Sequence, residues 1–166
     1  NIKINKRDFY VLGAGGSSLA VIYSLIMLGC RKIVVINRSI NSLDKVKKHF
    51  KKEMNCDIEI QNSMKNSIGS NACIINCTPY GTGSLEGNSP ISLSLIKSNH
   101  VLIDLNYNPQ KTKFIMDGEK AGARAINGLD MLVYQGLTSI DIWMNKNMSS
   151  IINSNKIKQF LLKEYA

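Results

Sequence analysis

Apolar residues gather along this chain in six short runs, separated by longer segments in which they recur at helical spacing. The runs are Phe9 to Leu12, Ile33 to Ile36, Ile58 to Ile60, Cys73 to Asn76, Val101 to Leu105 and Ala123 to Ile126. Most are rich in β-branched residues and bounded by polar ones, which is the signature of strands buried on both faces. Between them, Leu19, Ile22 and Ile26 fall on one helical face, and Leu43, Val46 and Phe50 on another. Regular alternation of strand and helix predicts an α/β fold, a doubly wound and mostly parallel sheet with helices on both faces.

The pattern changes after Gly128, where no further strand is written. Two helices are predicted, Leu129 to Asn145 and roughly Ser149 to Tyr165. In the first, Leu129, Leu132, Ile140 and Trp143 form the expected core stripe, and Met131, Gln135, Thr138 and Ile142 follow the same spacing on a neighbouring face. Gln135 is therefore expected as a polar group beside a buried stripe. The second helix carries Ile151, Ile152, Ile157, Phe160, Leu161 and Leu162. This is more apolar surface than an edge helix of such a sheet needs, and it predicts docking against a segment outside the chain. Asn62 to Asn71 and Gly81 to Ser89 read as polar loops.

Candidate chemistry starts at Gly13-Ala14-Gly15-Gly16-Ser17-Ser18, placed between the first strand and the first helix. Small residues there let the backbone approach a pyrophosphate, while free amides and the positive end of the helix dipole face its charge. The ligand implied is a dinucleotide held on a Rossmann-type βαβ unit. At the tip of the second strand, where an NAD site places Asp or Glu for the ribose 2′-OH, the chain has Asn37 and Arg38. A guanidinium there can pair with a 2′-phosphate, so NADP is expected over NAD.

Length and composition add bounds. With 166 residues and 44% hydrophobic content, the chain is expected to form one domain over 1–166. The formal charge of +9 comes from 21 basic and 12 acidic side chains. Much of it lies in Lys45, Lys47, Lys48, Lys51 and Lys52, at spacings of a solvated helix face, without the interleaved aromatics of a nucleic-acid surface. Cys30, Cys56, Cys73 and Cys77 are few and irregularly spaced, and read as reduced thiols packed in a cytoplasmic protein. Cys73 and Cys77 lack a second pair or spaced histidines for zinc. No apolar stretch reaches the roughly 20 residues of a membrane span.

Several separated motifs together resemble the nucleotide-binding half of the shikimate dehydrogenase family. They are Val11-Leu12-Gly13-Ala14-Gly15-Gly16, Asn37-Arg38-Ser39, Ile75-Asn76-Cys77-Thr78-Pro79-Tyr80-Gly81, Asp104-Leu105-Asn106-Tyr107-Asn108-Pro109, and Asn127 to Gly136 with its Gly-Leu-x-Met-Leu-Val-x-Gln element. The resemblance implies reduction of 3-dehydroshikimate to shikimate with NADPH in aromatic amino-acid biosynthesis. It implies that Gly13, Ala14, Gly15, Gly16 and Ser17 hold the pyrophosphate, and that Asn37, Arg38 and Ser39 hold the 2′-phosphate. Thr78 would border the cofactor, Leu105 and Gly128 would offer backbone contacts near the nicotinamide, and Tyr107 and Gln135 would reach the substrate.

Two departures accompany the resemblance. Ser42 stands where the family often has a second basic residue, with Lys45 as a substitute, which predicts a modest NADP preference. The family's catalytic Lys and Asp pair belongs to an N-terminal substrate domain with no counterpart among these residues, so the chain, starting at Asn1, reads as a piece of a longer polypeptide with an incomplete active site. Lys111 and Lys113 read as solvated helix-start residues, and His49 and His100 carry no catalytic signature. A quinate-using variant, a stand-alone dinucleotide module, and other two-domain dehydrogenases of the methylenetetrahydrofolate or glutamyl-tRNA reductase type are the rival readings, the last leaving the Gln135 element unexplained.

Overall fold

In a computed structural model of the chain, residues 4–50 and 55–164 are described. Lys51, Lys52 and Tyr165, each part of a sequence expectation, lie outside them. The strands are β1 (Phe9–Leu12), β2 (Lys32–Ile36), β3 (Asp57–Gln61), β4 (Cys73–Asn76), β5 (Val101–Asp104) and β6 (Arg124–Ile126). The helices are α1 (Gly16–Met27), α2 (Ile40–His49), α3 (Lys113–Lys120), α4 (Leu129–Met144) and α5 (Ser154–Glu164). The six strands form one sheet in the order β3-β2-β1-β4-β5-β6, and every neighbouring pair is parallel.

The winding reverses between β1 and β4, so the crevice above their C-terminal ends is where such a sheet accepts ligands. Side chains alternate across the sheet. Val11, Val35 and Ile75 point into one core beneath α1 and α2, joined by Ile22, Leu43 and Val46. Leu12, Val34 and Ile74 point into the other, joined by Leu102 and Phe114 of α3. Both faces are apolar, which is why the strands are written as continuous hydrophobic runs rather than alternating ones.

The C-terminal region departs from its expected boundaries and faces. Predicted as one helix from Ser149 to Tyr165, the second segment instead makes a 3-10 turn at Met148–Ser150 and begins α5 at Ser154. The reason is local hydrogen bonding: Asn145 ends α4 with φ 46°, the Asp141 carboxylate accepts from the Ser149 amide at 2.7 Å, and Asn153 Oδ1 accepts from the Lys156 amide at 3.2 Å as a helix cap. In α4 the buried residues are Leu129, Val133 and Leu137. Leu132 and Ile140 are half-buried and Trp143 is 79% exposed, which corrects the predicted stripe. Helical spacing admits both series, and only tertiary packing selects between them.

One buried titratable group lies just ahead of β5. The His100 ring accepts the Lys97 amide at Nδ1 (3.2 Å) and meets the Gly69 carbonyl through Nε2 (3.0 Å), tying two loops together. Burial pushes its pKa below the ordinary histidine value, against the Gly69 bond and with help from Lys97 and Arg7. The folded state thus binds fewer protons than the unfolded chain just below the ordinary value, so this contribution to stability is lost as the pH falls through that interval. The melting temperature is expected to drop as the pH falls below the ordinary histidine value of about 6.5, and His100→Asn to flatten the drop. An unchanged pH slope in that variant would remove His100 from the acid response.

Candidate functional site

The glycine turn is built by close approach of three strand ends. Gly13 donates its amide to the Ile36 carbonyl at 2.8 Å and has φ +106°, a left-handed value that favours glycine. A Cβ at Gly13 would also lie 3.1 Å from the Cys77 carbonyl oxygen and 3.2 Å from Thr78 Cγ2. The chain is held here between β2 and β4. Gly15 caps α1 without a side-chain bond, and the Gly15, Gly16 and Ser17 amides find no acceptor among the described residues. A Cβ on Gly15 or Gly16 would meet nothing within 4 Å, so the space in front of these amides is open. Ser18 is buried and donates to the Gly15 carbonyl at 2.6 Å, which stiffens the turn. Exposed Gly15, Gly16 and Ser17, with half-buried Ala14, form an amide cradle at a helix dipole, as a pyrophosphate requires.

Beside it lies a cleft of about 350 Å³. Of the residues singled out in the sequence, it brings together Asn37, Arg38 and Thr78. Arg38 is exposed and its guanidinium has no hydrogen bond or ion pair among the described residues. Asn37 is fixed by its amide on the Gln61 carbonyl (3.1 Å) and its side chain on the Ser39 carbonyl (3.2 Å). Ser39 caps α2 and accepts from the Ser42 amide and hydroxyl at 3.4 and 3.2 Å. Ser42 thus serves the cap where the family often has a cation. No carboxylate lines the cleft, which suits a phosphorylated ribose.

Pro79 and Tyr80, neighbours of Thr78 in the loop after β4, line the cleft with it, as the resemblance implied. Sequence reasoning missed Asn62, Ser63, Met64, Leu85 and Pro90, which also line it. The first four lie in segments read as polar loops and Pro90 next to one, and that composition concealed them. Leu105, Gly128, Tyr107 and Gln135 do not line this cleft. Leu105 and Gly128 do meet: a Cβ on Gly128 would fall on the Leu105 carbonyl, and the Gly128 amide donates to the Asn106 carbonyl at 3.0 Å. Tyr107 is half-buried beyond β5, and Gln135 is exposed on α4 with its side chain in solvent. Gln135 lies on a different face of α4 from the buried Leu129, Val133 and Leu137.

Under the cleft lies a buried polar cluster that the hydrophobic pattern did not announce. Asn76 and Asp104 are register partners at the ends of β4 and β5, both 0% exposed, and the Asn76 amide donates to Asp104 Oδ1 at 2.9 Å. Thr112, the α3 cap, donates to Asp104 Oδ2 at 2.6 Å, and the Asn106 amide donates to Oδ1 at 3.1 Å. Burial pushes the Asp104 carboxyl above the ordinary carboxylate range, against the pull of these donors. Its ionisation therefore costs stability as the pH rises between the ordinary and the raised value. A cue in the sequence was present: a polar residue ends each of two adjacent buried strands.

Three ionisable side chains near the ends of β5 and α3 are already engaged: both Asp104 oxygens are occupied, Lys111 is held by Glu119 at 2.9 Å, and Lys113 is paired with Asp117. Cys73 and Cys77 are pushed up to about 12, chiefly by burial, so they are inert thiols. No helix among the described residues is long and apolar enough to cross a membrane.

Comparison with known proteins agrees with this geometry. The Shikimate / quinate 5-dehydrogenase family model matches residues 1–112. A shikimate dehydrogenase (NADP(+)) of Crocosphaera subtropica is 34% identical over 157 residues, covering 91% of this chain and 54% of that protein. Shikimate dehydrogenase 1 from Peptoclostridium difficile superposes with a TM-score of 0.75 at 32% identity, over 99% of this chain and 58% of its own. A 5-ketofructose reductase of Gluconobacter superposes with a TM-score of 0.83 at 26% identity, over 96% of this chain and 57% of its own. The chain spans about half the length of the curated relatives it matches. With its parallel 3-2-1-4-5-6 sheet and its glycine turn, the chain belongs to the shikimate/quinate 5-dehydrogenase family.

Proposed function

We propose that this chain is the NADP(H)-binding part of a shikimate dehydrogenase that reduces 3-dehydroshikimate to shikimate. The observation that carries the reading is the pairing of an open amide cradle at α1 with a cleft lined by Arg38, which has no ion pair among the described residues, and by no described carboxylate. The cradle residues Gly13, Ala14, Gly15, Gly16 and Ser17 would hold the pyrophosphate. Asn37, Arg38 and the Ser39 cap would hold the 2′-phosphate, Thr78 the edge of the cofactor, and Leu105 with Gly128 its nicotinamide end. When bound, NADPH supplies the hydride.

The chain's own residues orient rather than protonate. Tyr107 and Gln135 would engage the hydroxyls and carboxylate of the substrate ring. The proton for the developing alkoxide comes from a substrate domain outside these residues. Exposed apolar surface supports such a neighbour: Ile142, Trp143, Met144, Ile151 and Phe160 on α4, α5 and the turn between them are all more than half exposed. The helical pair over 129–166 is their docking surface in this reading.

Two measurements test it. Calorimetry is expected to show NADPH binding to the purified chain, with NADH weaker. Absorbance at the nicotinamide band is expected to show no reduction of NADP by this chain with shikimate, quinate or a reduced ketofructose. Steady shikimate-dependent reduction by the chain alone would overturn the assignment of the proton donor to another domain.

A further inference from the structure

The direction of every hydrogen bond around Asp104 is fixed by backbone amides, which can only donate. The Thr78 amide donates to Asn76 Oδ1 at 3.0 Å, and the Thr78 hydroxyl donates there at 2.6 Å. The Asn76 amide group must then turn toward Asp104 and the Tyr80 carbonyl, at 2.9 and 3.3 Å. Asp104 also takes the Asn106 amide, so that oxygen can serve only as an acceptor. The Asn106 side chain returns across the gap and donates to the Thr78 and Tyr80 carbonyls at 3.2 and 3.0 Å. On the far side, the Thr112 hydroxyl accepts the Ile115 amide at 3.3 Å and so donates to Asp104. One amide orientation and one carboxyl partner set are allowed, and two loops are stitched crosswise through them.

The geometry points to Asp104 as a positioning residue that locks the cofactor-facing loop 77–81 to the substrate-facing loop 105–108, so that occupancy of one loop orders the other. This rests on the proposed cofactor site for its functional meaning and on the hydrogen bonds alone for its mechanics. Three bonds converge on a carboxylate with no protein cation in its partner set, an arrangement that a packing role does not need. The residues it controls are Thr78, which lines the adenosine cleft, and Asn106, whose carbonyl carries Gly128 and whose neighbour is Tyr107.

Amide hydrogen exchange on the whole chain separates this from a structural role. Adenosine 2′,5′-bisphosphate, which has no nicotinamide and so cannot reach Leu105, is the probe. In the wild type it is expected to slow exchange at 77–81 and also at 105–108. In Asp104→Asn, which keeps the volume and removes the charge, protection near Arg38 should remain while protection at 105–108 is lost. Without ligand, the variant should speed exchange in both loops by about tenfold, the equivalent of one hydrogen bond. Thr112→Val, which cuts only the α3 side, should leave the two loops responding together. Absence of protection at 105–108 in the wild type with the cleft protected overturns the inference, as does ligand-free acceleration in Asp104→Asn confined to 105–108. Failure of the probe to protect Arg38 and the glycine turn counts against the cofactor site instead, and the ligand-free comparison then still decides the locking.

Discussion

Arg38→Glu is expected to remove or invert the preference for NADPH over NADH. Arg38 lines the cleft from the tip of β2 with its guanidinium unpaired, and no acidic residue lines the cleft to share it. A carboxylate in its place repels the 2′-phosphate and accepts from a 2′-OH. One charged hydrogen bond is worth about 1.5 to 3 kcal/mol, which is roughly a tenfold to hundredfold change in affinity. Because Ser42 is committed to the Ser39 cap and carries no charge, the wild-type ratio should fall toward the lower end of that range. Lys45, exposed on α2, is the nearest substitute by sequence, and Lys45→Ala should narrow the ratio less than the Arg38 change. Titration of both nucleotides against wild type and variants checks this. Identical NADPH-to-NADH ratios in wild type and Arg38→Glu would make Arg38 a solvated loop residue.

Gly128→Ala is expected to give the largest loss of stability among single changes at the site. Its φ of −81° suits any residue, so backbone freedom does not explain the glycine. Contact does: an added Cβ would fall on the Leu105 carbonyl, with the carbonyl carbon 2.6 Å and Leu105 Cα 3.1 Å away. These are backbone atoms at the end of β5 and cannot rotate aside. Relief requires β6 and α4 to move away from β5, which also breaks the 3.0 Å bond from the Gly128 amide to the Asn106 carbonyl. Overpacking of this kind costs about 1 to 3 kcal/mol, to which the lost bond adds about 1. A melting temperature lower by roughly 4 to 16 °C follows for a domain of this size. NADPH affinity should fall with it, since Leu105 and Gly128 flank the proposed nicotinamide end. A melting temperature within about a degree of wild type would show that the close approach is not maintained in solution.

Much of the fold could be read directly from the chain. The strands are short β-branched runs because both sheet faces are covered, and the glycine turn is legible because a single tight crossing between β1 and α1 demands small residues at fixed offsets. The same local rules placed Asn37 and Arg38 at a strand end, the family resemblance added Thr78, and the structure gathers the three into one cleft. Tyr107 and Gln135 were carried by motif resemblance alone, and they lie outside that cleft, Tyr107 half-buried and Gln135 exposed.

What the sequence by itself determined was set by periodicity and turn chemistry, which act over a few residues: the α/β class, the parallel winding and the glycine turn between β1 and α1. The tertiary structure decided the rest, because those features depend on which side chains meet across the sheet. Leu129, Val133 and Leu137 are the buried residues of α4, while Leu132 and Ile140 are half-buried and Trp143 is exposed, a choice that helical periodicity leaves open and tertiary packing makes. Gly128 is required by a carbonyl 23 positions earlier in the chain (128 − 105 = 23). Asn76 and Asp104, 28 positions apart, become one hydrogen-bonded unit only when β4 and β5 pair in register, which sets the Asn76 amide 2.9 Å from Asp104 Oδ1 with neither side chain exposed to water.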